Sequence, residues 1–230
     1  MNTKDKLLAA NIYLILGSLF ITSLVVSNLI FQKFFYWNPF GWFPFELSVG
    51  LLPYPITFLI TDVISEVYGK KKANQVVITG IIASFFSILI VLIGDVATAT
   101  SWSPVNEKTY TTVFGLSPVA VLASMLAYLF AQFIDIRIFH FWKQKTNGKY
   151  LWLRNNFSTF SSQFIDTFTV VLLLCVFGVI SWERFASLVW AGFLFKICVA
   201  LLDTPVLYII VYLFRKRFKL THGEELKDFL

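Results

Sequence analysis

Six ionisable residues, Asp62, Glu66, Asp135, Asp166, Lys196 and Asp203, lie inside long apolar stretches, with Asn28, Gln132 and Gln163 as neutral neighbours. A charge at the centre of a bilayer costs at least about 2.5–3.5 kcal/mol on insertion scales, so each needs a partner, a ligand or a counter-ion. Asp62 and Glu66 are four residues apart and, on a helix, share one face with Ser65. Two carboxylates there repel unless a proton, a cation or a donor-rich ligand lies between them.

Gln132 with Asp135, and Gln163 with Asp166, are three residues apart. Each pair offers a carboxylate that accepts two donors and an amide that can reach a carbonyl of the same ligand. The same groups can also bind helices to one another, and both readings stay open. The tetrapeptide Gln132-Phe133-Ile134-Asp135 recurs as Gln163-Phe164-Ile165-Asp166, a weak internal repeat of a kind common in transporters. Lys196 and Asp203 are seven apart and fall on one helical face; Lys196 either partners one of the acids or contacts a ligand. Asp203-Thr204-Pro205 suggests a local break, because Pro205 leaves a backbone carbonyl without its donor.

The elements that must carry these groups follow from composition. Of 230 residues, 57% are hydrophobic and 14% charged, with mean hydropathy +0.74. Soluble domains carry about 25% charge. Lipid is the natural solvent for so apolar a chain, and the net charge of +6 sits in loops and tails, which argues against nucleic acid as partner. Six windows are long enough to cross a bilayer as helices: 9–31, 47–68, 74–94, 117–141, 157–180 and 186–214. Continuous apolar runs exclude a barrel. The first window reads as a membrane helix rather than a cleaved leader. Fifteen of the 19 Lys and Arg fall in the N-terminal tail, around the second and fourth connections and in the C-terminal tail. This predicts a single all-α polytopic domain spanning 1–230, with six transmembrane helices and both termini cytoplasmic.

Between the first two windows lies the aromatic segment YWNPFGWFPF, residues 36–45, suited to a membrane interface; residues 101–113 form a polar segment predicted to lie outside as a lid or surface segment. A rise of about 1.5 Å per residue puts Glu66 and Asp62 roughly 6–12 Å from the basic edge, with Asp135 at similar depth and Asp166 and Asp203 near 18 Å. One polar pocket between helices accounts for this better than scattered positions. Asp95 ends the third window and is expected to be solvated.

No nucleophile elbow, HExxH motif, P-loop or Cys/His zinc set occurs. Cys175 and Cys198 lie in apolar runs and read as small hydrophobes, and His140 and His222 lie at the basic edges. The chain is thus expected to be no enzyme and to need no cofactor or metal.

The run from Ile60 to Lys71, ITDVISEVYGKK, resembles the TDvi-[NS]-E-vYGkk signature of the queuosine precursor transporter family, also called the vitamin uptake transporter family. Gln163-Phe164-Ile165-Asp166-Thr167 is similar to that family's Q-x-I-D-T segment, and Lys196 with Asp203-Thr204-Pro205 to its last helix. Ser65 stands where many members carry Asn. The resemblance implies import of a 7-deazaguanine queuosine precursor (preQ0, preQ1 or queuine) across the inner or plasma membrane. A guanine-type edge offers N1–H and an exocyclic amine, which one carboxylate accepts as a pair, and an aminomethyl substituent adds a cation. On this reading the substrate site draws on Asn28, Tyr54, Asp62, Glu66, Gln132, Asp135, Gln163, Asp166, Lys196 and Asp203. The alternative is the substrate-binding subunit of a vitamin importer driven by a separate ATPase. The energy source and the oligomeric state stay open, a homodimer included.

Overall fold

A computed structural model describes residues 3–38, 41, 44–115, 118–178 and 180–226. It is a bundle of long helices: α1 (Thr3–Ile30), α2 (Tyr54–Val67), α3 (Lys70–Val96), a short α4 (Glu107–Phe114), α5 (Pro118–Lys145), α6 (Leu151–Val176) and α7 (Phe185–Phe218). The stretches Thr3–Ile30, Val49–Val67, Lys70–Val96, Leu151–Val176 and Trp182–Phe218 are long and apolar enough to cross a membrane. The molecule is a helical, multi-pass membrane protein.

One element departs from the all-α expectation. The ends of the aromatic segment form strands. Phe34–Trp37 (β1) pairs antiparallel with Phe45–Ser48 (β2), with Phe34 opposite Ser48 and Trp37 opposite Phe45. Alternate positions of the two strands, Phe35 and Trp37 with Phe45 and Leu47, pack as one side of this hairpin: Trp37 meets Phe195 edge-on at 5.1 Å, and Leu47 is buried with Ala191 and Phe195 of α7. Pro39, Phe40, Trp42 and Phe43 of the same segment lie outside the described residues. The expected second window, 47–68, is therefore only partly α-helix.

α2 is the hub. Its 14 residues rise about 21 Å, short of the roughly 30 Å of a bilayer core, so the 3-10 turn Val49–Leu51 completes the crossing. It starts where Pro53 and Pro55 fix the entry and ends at Gly69, whose φ of +83° closes the last turn with its N–H on the Ile64 carbonyl. It packs against α1, α3, α5 and α7. From Thr57 to Val67 only Leu59 is not buried, so Asp62, Ser65 and Glu66 face protein and not lipid. At its start Gly50 touches α1 so closely that a Cβ there would sit 2.6 Å from the Ser27 carbonyl oxygen.

α5 and α6 form the most extensive pairing, joined by a tight connection in which Asn147, Gly148 and Tyr150 adopt positive φ. α6 begins at Leu151, earlier than the expected 157, because Arg154, Asn155 and Asn156 are buried helical residues and not loop residues. Ion pairing of Arg217 with Asp5 (2.7 Å) brings the end of α7 to the start of α1. That end of the bundle, called the basic end below, also gathers the α2–α3 and α5–α6 connections. The opposite end holds the hairpin and α4. Asn106 caps α4 by accepting the Thr109 N–H, and the Thr111 hydroxyl donates to Asp95 at 2.6 Å. Within the expected 101–113 lid, then, residues 107–114 form a short helix laid on the end of α3.

Candidate functional site

Two cavities meet in the middle of the bundle. The larger, about 420 Å³, lies between α1, β2, α2, α6 and α7 on the hairpin side; its walls include Asn28, Glu46, Tyr54, Tyr128, Asp166 and Lys196. This volume falls in the range of about 300–1,000 Å³ usual for small-ligand sites. The smaller, about 20 Å³, lies between α2, α6 and α7 and is lined by Tyr54, Asp62, Thr159, Gln163, Lys196 and Asp203 among others. It has room for roughly one water. Tyr54 and Lys196 line both, so they form the partition.

The partition is a compact charged cluster. Lys196 Nζ donates to Asp166 Oδ2 at 2.5 Å, with both side chains buried. The Tyr54 hydroxyl donates to Asp166 Oδ1 at 2.9 Å, and Lys196 Nζ stands 4.5 Å from the centre of the Tyr54 ring. Tyr54 also meets Tyr128 at 5.0 Å and Phe58 at 5.7 Å, which builds an aromatic wall beside the ion pair. Behind it, Gln132 donates to the Tyr128 hydroxyl at 2.6 Å and accepts from Thr61, so Gln132 orients the wall and does not line either cavity.

The two copies of Gln-x-x-Asp therefore have different surroundings. Gln163 lines the small pocket with its Oε1 buried and without a donor among the described residues. Asp135 lines neither cavity. Its Oδ1 accepts from the Ser162 hydroxyl at 3.0 Å, and its carboxyl lies against that of Asp62 across the α2–α5 interface. Asp203, half-buried on α7, is also near Asp62. Asn28 sits at the hairpin-side cavity with its Nδ2 buried and unpartnered.

Glu66 is elsewhere. It lines neither cavity and is only 2% exposed at the basic end of α2. Arg154 and Arg215 approach its Oε1, each at 2.6 Å, and Lys143 lies 3.7 Å from Oε2. Lys143 also donates to Glu225 Oε1 at 2.9 Å, and the Leu226 N–H donates to the Val67 carbonyl at 2.7 Å. The segment after α7 thus folds back over the end of α2. Arg154 and Lys143 belong to the basic residues around the fourth connection, yet Arg154 is fully buried. The available signal was the polar run Arg154, Asn155, Asn156, Ser158 and Thr159 just ahead of an apolar stretch, which is too polar for lipid and suits a protein-facing helix side.

The chemistry of this arrangement is that of recognition. A buried carboxylate, a lysine, amide and hydroxyl oxygens without a donor among the described residues, and a wall of edge-on aromatic rings together suit a flat, polar small molecule. Spanning helices that enclose such a cavity define a small-molecule transporter of the membrane. Residues 48–210 match the family described as "Putative vitamin uptake transporter", and the chain belongs to that family. It is a family of transporters and not of enzymes. The chain is also similar to the "Probable queuosine precursor transporter" of Bacillus subtilis (strain 168), at 29% identity over 162 residues, 70% of either chain. No solved structure matches it.

Proposed function

We propose that this protein imports a 7-deazaguanine queuosine precursor through the plasma (inner) membrane. The observation that carries the reading is the cavity of about 420 Å³ that ends on the buried Tyr54–Asp166–Lys196 cluster. The name of the Bacillus relative, a probable queuosine precursor transporter, supports the substrate class. In this reading the base stacks beside Tyr54 and Tyr128. Its N1–H and exocyclic amine donate to a carboxylate, Asp166 or Asp62, and its carbonyl accepts a hydrogen bond from Lys196 or the Gln163 amide. Asn28 lies on the approach.

The full arrangement has six spans, with α5 as the sixth, one domain and both termini cytoplasmic, as the loop charges require. The basic end then faces the cytoplasm, and the Glu66 cluster is the closed inner gate of an alternating-access cycle. Opening it to release substrate parts Glu66 from Arg154 and Arg215.

Uptake of labelled precursor by cells that lack both its synthesis and their own carrier tests the reading. Uptake above a vector control is expected. None, with the protein demonstrably in the membrane, overturns it. Uptake only when separate ATPase subunits are supplied would favour an importer subunit instead.

A further inference from the structure

The buried cations among the described residues are already engaged by acids other than Asp62 and Asp135. Lys196 is held by Asp166; Arg154, Arg215 and Lys143 surround Glu66. Asp62 and Asp135 have no ion-pair partner among the described residues, although they are 3% and 0% exposed. Asp62 Oδ1 and Asp135 Oδ2 are each buried without a hydrogen-bond donor among the described residues. The two carboxyls nevertheless lie against each other, α2 to α5. Two ionised carboxylates cannot share such a space, whereas one proton between them supplies the missing donor to both.

The surroundings are consistent with one mobile proton. Ser162 donates to Asp135 Oδ1 and Ser158 also lies beside that carboxyl, while Oδ2 has no hydrogen-bond donor among the described residues. Asp62 also borders the water-sized pocket of about 20 Å³, with Asn155 Oδ1, Thr159 Oγ1 and Gln163 Oε1 as further unpartnered oxygens of its lining residues. A single water there, bonded to these oxygens, gives the proton a way on and off. No set of three or more His, Cys, Asp or Glu among the described residues is arranged for a metal ion.

The charged groups facing Asp62 are Asp135 of α5, Asp203 of α7 and, more weakly, Arg154 of α6, with Glu66 one turn along on α2 itself. At the basic end, Tyr13 of α1 meets the Tyr68 ring and Lys72 of α3 lies over the Tyr13 ring.

We propose that Asp62 and Asp135 form the coupling-ion site of this carrier and that the ion is a proton, shared by the two carboxyls when loaded and released when α2 and α5 rearrange. The inference rests on the transport reading above and adds its energy source. Because the proton holds α2 against α5, its departure loosens α2, the helix whose Glu66 must part from Arg154 and Arg215 for the inner gate to open.

The test uses the full chain in liposomes with the membrane potential clamped and a labelled 7-deazaguanine that is uncharged at its 7-substituent. An outside-acid gradient of one pH unit should drive about tenfold accumulation, as one proton per substrate requires. A sodium gradient should drive none, and adding substrate should acidify the lumen as read by a trapped pH dye. Asp135→Asn should abolish the accumulation, and its counterflow exchange shows whether the variant is folded. Accumulation driven only by sodium, or uptake that ignores both gradients and moves no protons, overturns the inference and leaves the transport reading standing. An Asp135→Asn protein that exchanges substrate and still accumulates it with the pH gradient also overturns the inference. Absence of uptake or exchange under every condition overturns the transport reading, and the inference with it.

Discussion

Replacing Glu66 with Gln removes one negative charge from a buried site where three cations converge. Arg154 and Arg215 each lie 2.6 Å from Oε1 and Lys143 lies 3.7 Å from Oε2, and Arg154 is fully enclosed. Removing one partner of a buried ion pair leaves the other charge uncompensated and costs about 3–5 kcal/mol. Arg215 is partly exposed and recovers water, so most of that loss falls on Arg154. Arg154→Gln alone should cost less, because Arg215 and Lys143 still neutralise Glu66. The double variant Glu66→Gln/Arg154→Gln buries neither charge and should be more stable than the sum of the singles by about 1–3 kcal/mol. Thermal unfolding of the detergent-purified proteins, monitored by tryptophan fluorescence, supplies the three values. Strict additivity, or a Glu66→Gln protein as stable as the parent, would refute the reading of Glu66 as the anchor of the closed end.

Three further outcomes follow from the same geometry. Tyr54→Phe deletes a 2.9 Å hydrogen bond to the charged Asp166, worth about 1.5–3 kcal/mol, so the half-saturating substrate concentration for uptake should rise by about tenfold or more with the protein level unchanged. Gly50→Ala would press a methyl group to within 2.6 Å of the Ser27 carbonyl oxygen, so it should lower the melting temperature, whereas Gly178→Ala, whose Cβ meets nothing within 4 Å, should be limited to its backbone cost. Arg184→Ala breaks an ion pair with Glu46 that is mostly exposed on both sides, so melting should change by no more than about 1 kcal/mol equivalent.

The spanning helices were legible because an apolar run of about 20 residues has one outcome in lipid. The weak points were those where polarity was satisfied inside the protein. Arg154 looked like a loop charge because nothing local distinguishes a cation facing water from one facing Glu66 on another helix. The β1–β2 hairpin was hidden for a related reason: the strand pattern is only four residues long on each side, and aromatic density suits both an interface and a strand. Asp62 and Glu66 share a helix face as their spacing requires, yet they go to different neighbours. Glu66 meets cations from α5, α6 and α7, and Asp62 meets Asp135 and Asp203. Only tertiary packing could divide them. The choice of Asp166 over the other acids as the partner of Lys196 likewise depends on how α6 lies on α7.

The most direct test of the central proposal is uptake of labelled 7-deazaguanine by proteoliposomes carrying the parent chain or Asp166→Asn. Asp166 joins Tyr54 and Lys196 at the partition between the two cavities. The account predicts saturable uptake by the parent and uptake at the empty-liposome level by an Asp166→Asn protein that is inserted and monodisperse. Equal uptake by the two proteins, or none by the parent, contradicts it.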